Sequence, residues 1–150
     1  MAGGKYQLLK QLAHEREAAA AERMQRAQGR LADARQRLEQ LEAYRDEYRA
    51  RFTARGQAGV GVAQWQDFRL FLGKLDEAVA LQNGEVERCL QRLLMERQGW
   101  QNERKRVMAF DKLMEREAER ALLREGRREQ KAMDEFASRQ FWNASRGKTD

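Results

Sequence analysis

A single glycine-rich segment interrupts an otherwise regular seven-residue pattern of apolar residues in this chain. Three glycines fall within six residues from Gly56 to Gly61, and no other stretch concentrates residues that favour turns. After this segment, eight consecutive positions at seven-residue spacing are apolar, from Leu72 to Ala121. Before it, a similar row extends from Met24 to Phe52, broken only by Arg45. The pattern predicts two coiled-coil helices joined by a hinge.

The composition supports helices and excludes a protein built on β-sheets. Proline and isoleucine are absent, and strong helix formers such as Ala, Leu, Glu, Gln and Arg dominate. We therefore predict an all-α fold, in which two long helices form an antiparallel coiled-coil hairpin with an overhanging second helix. Residues 1–150 are expected to form a single domain. Its predicted parts are a helix over about 5–54, a hinge over 55–62, a helix over about 63–140 and a flexible tail over 143–150.

Folding the chain back at the glycines pairs residues that are equally distant from the hinge. This rule places apolar residues of the two rows opposite each other, although it depends only on the position of the glycines and not on the apolar pattern. In the middle it places alanines opposite polar residues, so we expect little apolar burial there. The predicted pairs are Phe52 with Trp65, Tyr48 with Phe68, Leu41 with Leu75, Leu38 with Val79, Leu31 with Val86, Met24 with Leu93 and Tyr6 with Phe110, and the alanines Ala13, Ala20, Ala27 and Ala34 face Glu103, Glu96, Cys89 and Gln82.

The two predicted helices differ in length, roughly 75 Å against roughly 115 Å at about 1.5 Å per residue. Beyond about Lys112 the second helix therefore has no partner within the chain. It still carries apolar side chains, namely Leu113, Met114, Leu122, Leu123, Met133, Phe136, Phe141 and Trp142. An uncovered apolar face of this kind indicates either a frayed helix end or binding to another protein or to a second copy of this chain.

Six of the twelve aromatic residues lie between positions 44 and 71, close to the hinge. The pairing rule assigns four of them to the hairpin core. Tyr44 and Phe71 lie one position off the apolar rows, so no partner within the hairpin is predicted for them. Together with Leu70 they indicate either partial packing or a protein-binding patch.

The residues that carry chemistry in enzymes are scarce. His14 is the only histidine and Cys89 the only cysteine, and the glycine segment lacks the Lys-Ser/Thr pair of a phosphate-binding loop. We therefore predict no catalytic site, no metal site and no cofactor, and hence a protein that is not an enzyme. The net charge is +6, but arginines alternate with glutamates along the helices, which argues against a nucleic-acid partner. No signal peptide or membrane-spanning segment is predicted, which suggests a cytoplasmic protein.

Four segments resemble a known family in order and spacing. They are residues 9–15, residues 41–49 with the sequence Leu-Glu-Ala-Tyr-Arg-Asp-Glu-Tyr-Arg, residues 65–75, which begin Trp-Gln-Asp-Phe-Arg, and residues 130–139, which contain Met-Asp-Glu-Phe-Ala. In these segments the chain is similar to the flagellar export protein FliJ family. The resemblance implies a soluble component of the flagellar type III export apparatus, similar to the central stalk of rotary ATPases.

The resemblance also implies partners for the two ends of the hairpin. The open end would enter the hexameric export ATPase and promote its assembly and hydrolysis, and the tip would contact the export gate protein FlhA. The protein would also escort export chaperones, associate peripherally with the inner membrane through the export apparatus and be a monomer when free. The family positions implicated at the gate correspond to Leu41, Tyr44, Tyr48, Phe71, Leu75 and Ala78, and Gln82 replaces a family histidine.

For the ATPase end, we expect contacts from the overhang together with the first two turns of the first helix. These residues are Leu122, Leu123, Met133 and Phe136, with Tyr6 and Leu9. Two alternatives remain open, a homodimeric structural coiled coil and the stalk protein of a non-flagellar type III secretion system. A homodimer would be distinguished from the stalk by its mass in solution.

Overall fold

The computed structural model describes residues 2–147, which form two α-helices. Helix α1 comprises Ala2–Gly56 and helix α2 comprises Val62–Gly147, with 55 and 86 residues respectively. Residues 57–61 join them, and residues 2–147 contain no β-strand. Strong helix formers and the lack of proline allow the backbone hydrogen bonds to continue without a break. The predicted all-α class is confirmed.

Both helices are longer than predicted at their outer ends. Helix α1 begins at Ala2 rather than near residue 5, and α2 continues to Gly147 rather than ending near residue 140. Residues 143–147, predicted as part of a flexible tail, are therefore helical. No proline and no glycine occur between Gly126 and Gly147, so nothing in this stretch ends the helix earlier. The remaining tail positions, 148–150, lie outside the described residues.

The connection between the helices is a tight turn that depends on one glycine. Gly59 has a φ of 91°, a left-handed conformation that other residues rarely adopt. The amide of Ala58 donates to the carbonyl of Arg55, and that of Gly59 donates to the carbonyl of Gly56. These bonds satisfy carbonyls left open where α1 ends. The turn that reverses the chain thus lies within the segment 55–62 predicted as the hinge.

Two compact units make up the structure, and one of them is Glu15–Glu103. In this unit α1 and α2 run antiparallel around a narrow core. Ala27, Leu31 and Leu93 are buried in one cluster, and the predicted opposing residues Met24 and Val86 pack against it. Ala20 and Ala34 are also buried, whereas Gln82, Cys89 and Glu96 opposite the alanine row are only half-buried. The middle of the hairpin thus packs small alanines and single leucines against half-buried side chains.

Polar contacts between the helices of this unit agree with the predicted pairing. The side-chain amide of Gln82 donates to the carbonyl of Ala34 over 3.0 Å, which joins two residues predicted to face each other. One helical turn from its predicted partner, Glu96 forms an ion pair with Arg23 at 3.4 Å. A polar residue in an apolar seam specifies which residues can pair, because a shift would leave its hydrogen bond unmade.

The other unit combines the segment ending at His14 with the segment beginning at Arg104. Ala13 and Val107 are buried here, and Tyr6 and Phe110 are half-buried. The ammonium of Lys10 lies 2.6 Å from a carboxylate oxygen of Asp111, so the two helix segments lie side by side here. From residue 118 to residue 147 every side chain of α2 is exposed. The predicted overhang is thus confirmed, while a single domain over the whole chain stays a prediction.

Candidate functional site

An aromatic cluster forms the tip of the hairpin next to the turn. The rings of Phe52 and Phe68 are stacked with centroids 3.7 Å apart, and Tyr48 stacks on Phe68 at 5.2 Å. Trp65 lies 5.5 Å from Phe52, with its ring tilted. The predicted pairs Phe52 with Trp65 and Tyr48 with Phe68 are therefore confirmed. Stacked rings bury large apolar areas, so this cluster is a strong local anchor between the two helices.

Phe71 packs within the hairpin, as one of the two open alternatives predicts, although residue spacing assigns it no partner. Its ring packs edge-on against Tyr48 at 4.7 Å and against Tyr44 at 6.3 Å. A long aromatic side chain one position off the apolar row still reaches across the seam, which residue spacing does not reveal. Tyr44 and Phe71 nevertheless remain 47% and 37% exposed. They form an exposed aromatic pair supported from beneath by Tyr48.

The remaining residues predicted to bind the gate are less accessible. Leu75 is buried, and Leu41 and Ala78 are half-buried. Substituting these three therefore affects the packing of the hairpin as well as any contact with a partner. Among the predicted gate residues, the structure brings Tyr44, Tyr48 and Phe71 together in one patch.

A charged contact that sequence reasoning missed lies on the other edge of the tip. Asp76 accepts from the guanidinium groups of Arg45 and Arg49 on α1, at 3.4 and 3.5 Å. Asp76 follows Phe71 by five residues, which places it about 140° around α2. Arg45 interrupts the apolar row, and an acidic residue about one helical turn beyond the position opposite it was the signal that could have revealed its role. The tip therefore has an aromatic edge with Tyr44 and Phe71 and a charged edge around Asp76, and the two edges differ in chemistry.

The overhang, residues 118–147, carries its apolar side chains on a broad face. At about 100° per residue, Leu122, Met133 and Phe136 fall within about 60° of one another. Leu123 and Phe141 lie at the border of this face. All five are more than 60% exposed, so none is covered by another part of residues 2–147. The overhang is an unpartnered amphipathic helix.

This apolar face does not continue the seam that packs against α1. If the seven-residue rows of α2 extended past Ala121, their next positions would be Arg124, Arg128 and Lys131. A coiled-coil partner using the same seam would meet these cations rather than leucines. The face of the overhang is therefore turned away from the seam and suits a partner that approaches from a different side.

Tyr6 and Leu9 lie far along the helix from the overhang residues with which they were grouped. Lys10 contacts Asp111, and Leu122 and Phe136 follow Asp111 by about 16 and about 37 Å at about 1.5 Å per residue. Tyr6 is half-buried, and Leu9 is partly exposed near Leu8 and Leu12, which are also exposed. The six predicted ATPase-binding residues thus form two separate surfaces rather than one.

Histidine and cysteine, which often bind metals or act as nucleophiles, occur once each in this chain. Within residues 2–147, no three His, Cys, Asp or Glu side chains are grouped so that they could hold a metal ion. Burial raises the pKa of the Cys89 thiol, and a hydrogen bond to Glu85 raises it further, so the thiol stays protonated and weakly nucleophilic. No helix among these residues is long and apolar enough to cross a membrane.

Comparison with known proteins identifies the family. The family model described as Flagellar FliJ protein matches residues 1–146. A Flagellar FliJ protein from Escherichia coli (strain K12) is 31% identical over 106 residues, covering 71% of this chain and 72% of the relative. The Flagellar FliJ protein of Salmonella typhi is 29% identical over 106 residues with the same coverage. The chain belongs to the FliJ family of flagellar proteins.

Proposed function

We propose that this chain is a component of the flagellar type III protein-export apparatus and acts as a stalk-like adaptor between the export ATPase and the export gate. The observation that carries the proposal is the exposed apolar face of the overhang, in a chain that belongs to the FliJ family. An adaptor needs at least two separate binding surfaces. The overhang and the aromatic tip provide two that differ in chemistry.

The overhang is the surface proposed to insert into the hexameric ATPase. Leu122, Leu123, Met133 and Phe136 offer apolar contacts, and the exposed residues of the first turns, such as Leu9, extend the contact near the open end. Burying these apolar side chains against a partner is favourable, because it removes their apolar surface from water. Binding of one helix to several subunits would promote assembly of the hexamer and thereby its hydrolysis of ATP.

The aromatic tip is the surface proposed to contact the gate protein FlhA. Tyr44 and Phe71 are exposed enough to enter an interface and are held in place by Tyr48. Aromatic anchors with fixed positions lose little conformational freedom on binding. Leu41, Leu75 and Ala78 contribute by shaping the hairpin beneath this pair.

Further parts of the proposal follow from the family. The chain escorts export chaperones, is located in the cytoplasm at the inner-membrane export apparatus and is a monomer when free. None of these roles requires a catalytic site, and we propose that the chain acts on the ATPase without itself being an enzyme. The flagellar family assignment favours this role over that of a stalk in a non-flagellar secretion system.

The decisive experiment measures ATP hydrolysis by the cognate export ATPase with and without this chain. The full chain is expected to stimulate hydrolysis, and a variant truncated after Arg120 is expected to remain helical but to lose stimulation. Replacing Leu122 and Met133 together by Gln should reproduce the loss. Replacing Lys131 by Gln, on the other side of the same helix, serves as the matched control. Full stimulation by the truncated variant would contradict the assignment.

A homodimeric structural coiled coil is the competing function, because exposed apolar helix faces also favour self-association. Cysteines placed at Leu38 and Val79, with Cys89 replaced by Ser, should cross-link within one molecule if the chain is a monomeric hairpin. Sedimentation of the unmodified chain should give the mass of a monomer. Cross-links formed only between molecules, together with a dimer mass, would support the competing function instead.

A further inference from the structure

The turn and the aromatic tip enclose a cleft for which the sequence offered no indication. Its volume is about 410 Å³, within the roughly 300–1,000 Å³ typical of ligand-binding clefts. Tyr48, Phe52 and Phe68 form its floor, and the turn residues around Gly59 form one wall. Because Gly59 holds a left-handed backbone conformation, the position of this wall depends on that residue.

Two charges of opposite sign border the cleft. Arg55 lies at the end of α1 and Asp67 in the second turn of α2, and both are exposed. Neither side chain forms an ion pair with another of residues 2–147, whereas nearby Arg51 pairs with Glu47 at 2.6 Å. An aromatic floor with an unpaired cation and an unpaired anion at its border presents both apolar and charged groups to a ligand.

The cleft lies next to the exposed aromatic pair of the tip, because Tyr48 lines the cleft and also contacts Phe71. Asp67 precedes Phe71 by four residues, so the two side chains lie one turn apart on the same face of α2. Arg55 follows Tyr44 by eleven residues, which returns to nearly the same face of α1 after three turns. Tyr48 contributes both to the cleft floor and to the support of Phe71. One partner can therefore cover both features at once.

We propose that the cleft binds a segment of a protein partner that inserts one large apolar side chain and presents an acidic and a basic residue beside it. The acidic residue pairs with Arg55 and the basic residue with Asp67. Although the chain carries a net charge of +6, the border of this cleft is balanced, so a uniformly acidic segment would be repelled by Asp67. The inference rests on the proposed binding of the tip to the export gate and adds the cleft as a second anchor beside Phe71.

The test measures the affinity of the full chain for the cytoplasmic part of the export gate by titration calorimetry. Ala58, an exposed residue of the turn that lines the cleft, is replaced by Trp to fill it. Arg55→Glu and Asp67→Lys reverse the two border charges one at a time. Arg69→Glu is the control, because Arg69 is exposed two residues from Asp67 but lies on another side of α2. Melting curves verify that each variant is folded.

Each of the three cleft variants is expected to bind about tenfold more weakly or worse, and the control within about twofold of the unmodified chain. Normal binding by Arg55→Glu and Asp67→Lys would overturn the cleft proposal, as would an equal loss in Arg69→Glu. If Ala58→Trp does not fold, the two charge reversals decide alone. Loss of binding in Phe71→Ala with normal binding in the cleft variants overturns the cleft but keeps the tip site. Absence of binding by the unmodified chain overturns both proposals.

Discussion

The aromatic tip and the overhang both expose large apolar side chains, but they do so in different ways. At the tip, exposed Tyr44 and Phe71 rest on buried or half-buried rings that join α1 to α2. In the overhang, Leu122 and Phe136 project from a single helix with no other part of residues 2–147 covering them. A residue at the tip therefore contributes to the packing of the hairpin as well as to its exposed surface, whereas a residue of the overhang contributes to the exposed surface alone.

The largest expected difference in the free energy of unfolding is between variants of two phenylalanines, one in each region. Phe68 is 8% exposed and stacked on Phe52, while Phe136 is 62% exposed. Phe68→Ala should lower the free energy of unfolding by about 3 kcal/mol or more, as buried Phe truncations do. Phe136→Ala should leave it nearly unchanged, because no packing is lost. Chemical denaturation of the two variants measures both values, and similar losses would remove the distinction between the regions.

A smaller loss is expected in the narrow middle of the hairpin. Leu31 is buried in a cluster with Ala27 and Leu93, so Leu31→Ala should reduce the free energy of unfolding by about 2 kcal/mol or more. Arg30→Ala, one residue away and exposed, provides the control and should have little effect. Thermal unfolding followed by circular dichroism measures the comparison. Equal melting temperatures for the two variants would show that the middle contributes nothing to stability.

The variant Phe71→Ala compares the proposed role of the tip in gate binding with its role in folding. Because the ring of Phe71 is 37% exposed and packs edge-on against Tyr48, Phe71→Ala should lower the free energy of unfolding by about 1 kcal/mol or more, since the aromatic pair and part of the buried apolar area are both lost. Its effect on gate binding should be larger, about 2 kcal/mol or more for an anchor in an interface. Affinity and unfolding are measured on the same preparation. A binding loss no greater than the loss of stability would identify Phe71 as ordinary packing.

The smallest expected effect belongs to the charged edge of the tip. Asp76 is about half exposed, so its ion pairs with Arg45 and Arg49 are screened by solvent. Asp76→Asn should lower the free energy of unfolding by less than about 1 kcal/mol at low salt, and the difference should vanish at about 1 M salt. Denaturation at the two salt concentrations measures this. A loss that persists at high salt would show that Asp76 acts through packing rather than charge.

Much of the fold could be predicted because its pattern is local and repeats. The absence of proline, the supply of helix formers and the seven-residue rows determined two helices, and the glycines determined where the chain turns. Equal distance from the hinge then predicted the pairs Phe52 with Trp65 and Ala34 with Gln82, which the structure joins. The end of α2 was placed too early, because a frayed tail was expected where nothing in the sequence stops the helix.

Only the tertiary structure determined which contacts are made by side chains that lie outside the seven-residue apolar rows. Spacing left Phe71 without a partner, yet its ring reaches Tyr48 because two closely packed helices bring neighbouring faces within the length of an aromatic side chain. The cleft between Phe52, Phe68 and the turn likewise depends on the backbone path at Gly59, which no repeat specifies. The sequence determined which residues line the seam, since periodicity is a property of each helix. Contacts beside the seam depend on the separation and side-chain directions of both helices, so only their packing established them.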